Sequence, residues 1–533
     1  MGALWSHMGS DEKRAMRMCS KAIRNAVDSH VTDVKAPSPL LRTARALLPA
    51  TCARMTGVKT MTMESISDVR DVLTCVLPSE ATLGRSATTS WATTSWAKSW
   101  ATSWTKSWAK SWTPPSPPAF PRLQSMAVDL KEFSRPDHCD TLVRAAPWLV
   151  SLSLALGMSS IALLRQLADV LDSCGKLTYL MLDFGMDSVD VSALAAGTRL
   201  QTLHISYFPI LTNLESLGSL TNLRDLEISE CPLIRDLSPL SGLSNLISIK
   251  LKDCKGVSDI SPLAGLISAR DMVVGCGDVL HLTALAGLTD LRNLTVLNAV
   301  SVSDMSPLTK LLRLTQLCLD CTGVLDIAPV ASMSSLVNVS FQTSDLTDLG
   351  PLARLTNLRH LDLTLSYELR DLSPISVLSN LTHLDLTACE TLCDECTAFA
   401  GLLSLRHLCL KECAFLCDIE PLAGLSRLTH LNLSQSGVTD LSHLNGLSNL
   451  MHLDLSNTDV VSDLWPLAGL GNLVFLDISN TDVVSDLVPL AGLGNLAFLD
   501  ITACLGISSV EAVTRRERVG ASPPLVLKGW PPH

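Results

Sequence analysis

Two neighbouring stretches, NLMHLDLSNTDVVSDLWPLAGLG at 449–471 and NLVFLDISNTDVVSDLVPLAGLG at 472–494, agree at 19 of 23 positions. Near-copies of so short a unit constrain the chain strongly. One unit cannot bury its own apolar residues, so the units must stack and share a continuous core. Within the first copy, Leu453 and Leu455 follow Leu450 in the alternation of a strand, which sets His452, Asp454 and Ser456 on the opposite face. A turn of the form V-x-D-L-x-P-L-A-G-L follows. At Ser238-Pro239 and Ser261-Pro262 the serine reads as an N-cap and the proline as the first helical position, with a glycine further on to end the turn. Each unit is therefore expected to be one short strand, a tight turn and a short 3-10 or single α turn. Stacked, they predict an α/β solenoid, a horseshoe with a parallel β-sheet on its concave face and helical turns on its convex face.

Looser copies begin at Lys176, Arg199, Asn222, Asn245, Ser268, Asp290, Arg313, Ser335, Asn357, Asn380, Ser404, Arg427 and Asn495. Ala145–Leu164 holds 20 uncharged residues, long enough to cross a membrane, but its Leu149, Leu152 and Leu154 keep the repeat's spacing and make it repeat one of about 16. A helix is expected over Ile161–Leu171. At Ser268 the leucine frame is replaced by Met272-Val273-Val274-Gly275, where a local kink is expected. The unit resembles the leucine-rich repeats of the 22-residue class, as in bacterial internalins and a protein-phosphatase regulatory subunit. The run LSNTDVVSDLWPLAGL at 455–470 most resembles leucine-rich-repeat proteins of kinetoplastid parasites, one of which is described as a regulator of adenylate cyclase. Those relatives carry a RING-like zinc module ahead of the repeats. Here Cys19, Cys52, Cys75 and Cys139 are too scattered to form one.

The expected organisation is an irregular region at 1–85, a low-complexity tract with a proline linker at 86–118, a cap at 119–147, the solenoid at 148–517 and a tail at 518–533 that covers the last repeat only weakly. The tract sets Trp96, Trp100, Trp104, Trp108 and Trp112 at a period of four, with Lys98, Lys106 and Lys110 on the same side of an extended chain. Its composition cannot bury a core and reads as an expanded repeat, with docking at a membrane interface as the other reading. Met1-Gly2-Ala3-Leu4-Trp5-Ser6 fits the M-G-x-x-x-S acylation pattern. A single acyl chain would give only weak membrane association through the N-terminus.

Charge separates the two parts. Residues 1–147 carry 19 Lys/Arg and 12 Asp/Glu, whereas 148–533 carry 22 and 40, a net of −18. Such an acidic surface repels phosphates, so no nucleic acid partner is expected. Part of the acidity is a column of aspartates before the turn: Asp190, Asp236, Asp259, Asp304, Asp326, Asp348, Asp371, Asp394, Asp418, Asp440, Asp463 and Asp486. A carboxylate there can accept backbone N–H groups. Cys231, Cys254, Cys389, Cys413 and Cys504 all follow L-x-L-x-x or its variants and read as small buried fillers, not a disulfide framework. With 17 cysteines and no paired spacing, a reducing, cytoplasmic compartment is expected.

Specificity is expected on the outward strand positions. Five successive repeats place His360, His383, His407, His430 and His452 at one position, and Phe475 and Phe498 continue the column. Beside it run Asp362, Asp385, Cys409, Asn432, Asp454, Asp477 and Asp500. At a strand spacing of about 4.8 Å the five imidazoles would span roughly 19 Å. Cys389, Cys393, Cys396, Cys409, Cys413 and Cys417 cluster nearby, but the repeat divides them between faces and no metal site is expected. No phosphate-cradling glycine loop, nucleophile elbow or H-E-x-x-H occurs. The expectation is a monomeric, non-catalytic protein–protein interaction scaffold without cofactors, binding a protein on the concave face. The alternatives are a regulatory subunit of a membrane signalling enzyme such as adenylate cyclase, and a pH- or metal-gated binder using the histidine column.

Overall fold

The computed structural model describes residues 33–36, 60–63, 125–130, 149–156, 167–168, 171–172 and 175–184, then 191–514 except 278, 299–300, 321–322, 325, 344, 393–396 and 459–460, and finally 525–530. They belong to two compact units, Met1–Cys231 and Pro232–His533. The acylation pattern, the tryptophan tract, Cys19, Cys52, Cys75, Cys139, Cys393, Cys396, Asp190 and Asp394 lie outside the described residues.

In the first unit, β4 (Ser151–Leu156), β5 (Tyr179–Phe184), β6 (Thr202–Ser206) and β7 (Asp225–Ser229) pair in parallel, each with the next. Leu149, Leu152 and Leu154 are buried in and beside β4, and among the described residues no helix is long and apolar enough to cross a membrane. Leu167 and Leu171 are helical and buried, and 161–166 lie outside the described residues. Three further parallel strands precede β4: β1 (Asp33–Ala36), β2 (Thr60–Met63) and β3 (Ser125–Leu130). No repeat was legible there. TMTM and SMAVDL keep the two-residue alternation of a strand without its leucine spacing, and ladder hydrogen bonds need only the backbone.

The second unit begins with β8 (Ser248–Lys252), β9 (Asp271–Gly275), β10 (Asn293–Val296), β11 (Gln316–Leu319) and β12 (Asn338–Phe341). It continues through β13 (His360–Asp362), β14 (His383–Asp385), β15 (His407–Cys409), β16 (His430–Asn432), β17 (His452–Asp454), β18 (Phe475–Asp477) and β19 (Phe498–Asp500) to β20 (Val526–Lys528). Every neighbouring pair is parallel. The ladder runs through β9 in unbroken register, with Met272 and Val274 buried where leucines stand elsewhere. Volume and apolarity suffice at these positions.

Between strands the chain makes 3-10 turns such as Ser261–Gly265 and Trp465–Leu467. In one repeat Leu450, Leu453, Leu455, Val461, Leu464, Leu467 and Leu470 are all at most 1% exposed. Burying each contributes about 1.5–3 kcal/mol relative to exposure. The cap differs from the expectation. Ser238 is the first residue of the turn Ser238–Leu240, not the residue before it, and the preceding cap residue makes no side-chain bond. Asp236 caps instead, accepting the Ser238 N–H at 2.8 Å. Asp259, Asp304, Asp326, Asp348, Asp371, Asp418, Asp440, Asp463 and Asp486 do the same at 2.7–2.8 Å, and Asn213 stands in at 2.7 Å. The column is thus structural. Gly265 and Gly401 matter through close approach: a Cβ would lie 2.3 Å from the Ser241 carbonyl oxygen and 2.1 Å from that of Ser376.

Two ties join successive repeats. Asn357, Asn380, Asn449, Asn472 and Asn495 donate Nδ2 to a carbonyl one repeat earlier at 2.8–3.0 Å. Cys389 and Cys413 donate Sγ to Leu363 and Leu386 carbonyls at 3.3 and 3.2 Å. Cys231, Cys254, Cys389 and Cys413 are buried fillers as expected, whereas Cys504 is half-buried, and the nine described cysteines are thiols. The tail is more than a weak cover. β20 extends the sheet in register with β19, setting Leu527 beside Leu499 and Lys528 beside Asp500.

Candidate functional site

In β13 to β19 the middle residue is always a leucine, Leu361 to Leu499, exposed by no more than 2%. The residues on either side of it must then face outward. Parallel register brings the two outward columns together residue by residue: His360, His383, His407, His430, His452, Phe475 and Phe498 in one, Asp362, Asp385, Cys409, Asn432, Asp454, Asp477 and Asp500 in the other.

The imidazoles form a continuous stack. Successive ring centroids from His360 to His452 are 4.2, 4.2, 4.1 and 4.3 Å apart, with interplanar angles of 8–23°. Phe475 joins at 5.7 Å from His452, and Phe498 stacks on Phe475 at 4.8 Å. The imidazole spacing is tighter than the roughly 4.8 Å between strands. The rings lean together on the strand face, which is the concave side of a repeat solenoid. Stacked rings cover each other's faces and present their edges to solvent.

Their protonation follows from the packing. Burial holds His360 below its ordinary value, helped by Arg359. Burial also lowers His383 and His407, and the neighbouring imidazoles and Arg406 add to it. His430, between His407 and His452, is lowered to about 4, by burial first and then by those two rings. Like charges this close cannot all form. Threonine hydroxyls anchor two of the rings. Thr382 Oγ1 lies 2.9 Å from both the Arg359 carbonyl oxygen and His383 Nδ1. Thr429 repeats the arrangement with the Arg406 carbonyl and His430 Nδ1, both at 2.9 Å. A hydroxyl both donates and accepts, so it holds either tautomer of the ring.

The second column has a structural role that the sequence reading missed. Oδ1 of Asp362, Asp385, Asp454, Asp477 and Asp500 accepts the N–H two residues later at 2.8–3.0 Å, and Asn432 does so for Ser434 at 2.8 Å. A hydroxyl at that later position adds a second bond, as from Thr364 to Asp362 and Thr387 to Asp385, each at 2.6 Å. The signal was present as D-L-T and D-L-S in successive repeats. Asp500 is also buried and ion-paired with Lys528, Nζ to Oδ2 at 2.7 Å. Cys409 breaks the carboxylate row; its thiol contacts Thr387 Oγ1 at 3.1 Å, and burial pushes its pKa up despite that bond.

A groove of about 500 Å³ runs along the imidazole edges from His360 to Phe475, with Asp362, Asp385 and Asp454 along its side. A hollow of about 640 Å³ lies nearby against Arg406, Arg427 and Met451. Its Asn449, Asn472 and Asn495 are committed to carbonyls of the preceding repeat. Among the described residues no three His, Cys, Asp or Glu are placed to hold a metal ion. The stack explains this for the histidines, whose lone pairs run parallel and do not converge.

No family model and no curated protein matches the sequence. Solved structures do. A leucine-rich-repeat protein of Leptospira interrogans matches 75% of this chain and 95% of its own at a TM-score of 0.53 and 20% identity. The fold is that of leucine-rich-repeat proteins. An internalin from Listeria monocytogenes covers 64% of this chain and 89% of its own at 25% identity and a TM-score of 0.46. The Toll–Spatzle complex of Drosophila covers 71% and 61% at 15% identity and a TM-score of 0.46.

Proposed function

We propose that this leucine-rich-repeat chain is a non-catalytic scaffold that binds a protein partner on its strand face, between His360 and Asp500. One observation carries the reading. Seven ring side chains stack without a break along the strand face, and all seven are at least partly exposed. Rings held rigid by one another lose little entropy on binding, and aromatic side chains are the usual anchors of protein interfaces. The 17 cysteines, an odd number without paired spacing, support a reducing, cytoplasmic setting. The likeness to a cyclase regulator rests on the repeat motif, which lies in the core and the turns and carries no partner choice.

The test is affinity capture by the full chain beside a variant with His360, His383, His407, His430 and His452 changed to serine. A partner held by the first and lost by the second supports the strand face as the contact. Equal capture, with both proteins folded, moves the contact elsewhere and overturns the reading. In a second version binding is gated by pH; because burial and the neighbouring rings lower His383, His407 and His430, loss of the captured partner would come below the ordinary histidine range, as pH falls toward 4.

A further inference from the structure

Resting on that strand-face reading, we infer that the groove takes an extended cationic segment of the partner, rich in arginine or lysine, laid across β13–β17 with its basic side chains on the aspartate row.

Two features of the face select this chemistry. The first is the row beside the imidazoles. Asp362, Asp385 and Asp454 line the groove, and each uses Oδ1 in its own turn. Oδ2 takes donors from the same face: Ser340 Oγ at 2.9 Å and Gln342 Nε2 at 3.4 Å on Asp362, and Asn432 Nδ2 at 3.2 Å on Asp454. A groove edged by carboxylates is matched by a cationic donor; guanidinium and ammonium groups are the side chains of that kind.

The second feature is that the chain already seats a lysine on this row. Lys528, brought alongside by β20, places Nζ 2.7 Å from Oδ2 of Asp500, which stands in the same column as Asp385 and Asp454. The long-range field agrees, since residues 148–533 carry a net of −18 and draw basic segments. Arg359 and Arg406 stand on the far side of the imidazoles, where they depress His360, His383 and His407. They repel a cation from that flank, which fixes its basic side chains on the aspartate side.

The experiment is a selection of 12-residue peptides from a random display library on the immobilised full chain at pH 7.5. Affinities of the selected peptides are then measured for wild type and three variants. The groove variant is Asp362→Asn, Asp385→Asn, Asp454→Asn. The edge variant is Asp440→Asn, Asp463→Asn, Asp486→Asn, which removes the same charge from the turn column. Both should fold, because Asn432 and Asn213 already make the respective turn bonds. The third is the five-histidine variant. The expected result is strong enrichment of Arg and Lys, at least a roughly tenfold loss of affinity in the groove variant and less than about a threefold loss in the edge variant. Enriched peptides that lose equal affinity in both aspartate variants show only general charge attraction and overturn the inference. Peptides that need the histidines but are neutral or acidic also overturn it, and leave the strand-face scaffold standing. Peptides indifferent to the histidines and to the groove aspartates overturn both. A neutral or acidic composition selected on wild type overturns the inference even if a variant fails to fold.

Discussion

At the scale of single residues, the sharpest local demand lies at the left-handed residue that follows a strand, three positions after an outward aspartate in five repeats. Tyr207, Glu230, Asp253, Asn298, Leu365, Ala388, Glu412, Gln435, Asn457, Asn480 and Ala503 all have φ between 53° and 66°. Only asparagine and aspartate among these reach the left-handed region at low cost. The conformation is held because its N–H continues the ladder into the next repeat: Leu365 donates to Thr387 at 2.9 Å and Asn457 to Ser479 at 2.8 Å. The preceding carboxylate fastens the turn that leads there. Leu365, at φ 66° and 41% exposed, pays most for this position and buries little. Leu365→Asn is expected to stabilise the fold by about 0.5–1 kcal/mol, read as a higher urea midpoint, while Asn457→Val should cost about 1–2 kcal/mol. A lower midpoint for Leu365→Asn would mean that the leucine side chain contributes packing that outweighs its backbone strain.

At the scale of the element, the strand ladder couples the histidines to stability. The folded-state values of His360, His383 and His407 lie below the unfolded value near 6.5, and that of His430 is about 4. The folded state thus binds these protons less readily than the unfolded chain. The stabilisation is complete above about pH 6.5 and is lost as pH falls from there toward 4. Thermal midpoints measured between pH 7.5 and 4.5 should fall more steeply for wild type than for the five-histidine variant. Parallel curves for the two would show that the rings part and protonate without strain. Because neighbours repel, the ladder should titrate in steps that belong to the stack as a whole. Much of this element was legible beforehand. A leucine every second residue and a fixed period determine which side chains face out and which stand in register, so the two columns follow from counting. What counting could not supply is how a side chain is used once placed. The aspartates beside the histidines read as partner-binding groups, yet each spends one oxygen on its own turn. The serine before proline read as a cap, yet the aspartate two residues earlier makes the bond. Strands β1, β2 and β3 escaped notice because ladder pairing leaves no leucine signature.

At the scale of the whole molecule, a stacked array has interior repeats supported on both sides and a terminal repeat supported on one. In the second unit the C-terminal end is closed by β20. Leu527 continues the inward row, Gly529 turns away at φ 88° where a Cβ would lie 2.3 Å from the Thr502 backbone nitrogen, and Lys528 covers Asp500. The Asp500 carboxylate is 3% exposed and the Lys528 side chain 62%, a pair intermediate between a surface and a buried salt bridge. Burial alone would raise the Asp500 pKa; the bonds from Lys528 and Thr502 outweigh it and hold it below the usual carboxylate range. Lys528→Met keeps the length of the side chain and removes its charge, and should lower the thermal midpoint at pH 7. Because the Asp500 pKa is depressed in the folded protein, the contribution of the pair is present above the unfolded carboxylate value near 3.9 and lost as pH falls through the folded value. The gap between wild type and Lys528→Met should therefore close on acidification. Since coupling passes only between neighbours, amide exchange should quicken in β18 and β19 of the variant and stay unchanged in β8 to β12. Uniform loosening of both ends would show that the second unit unfolds as one cooperative body, in which the C-terminal strand stabilises every repeat equally.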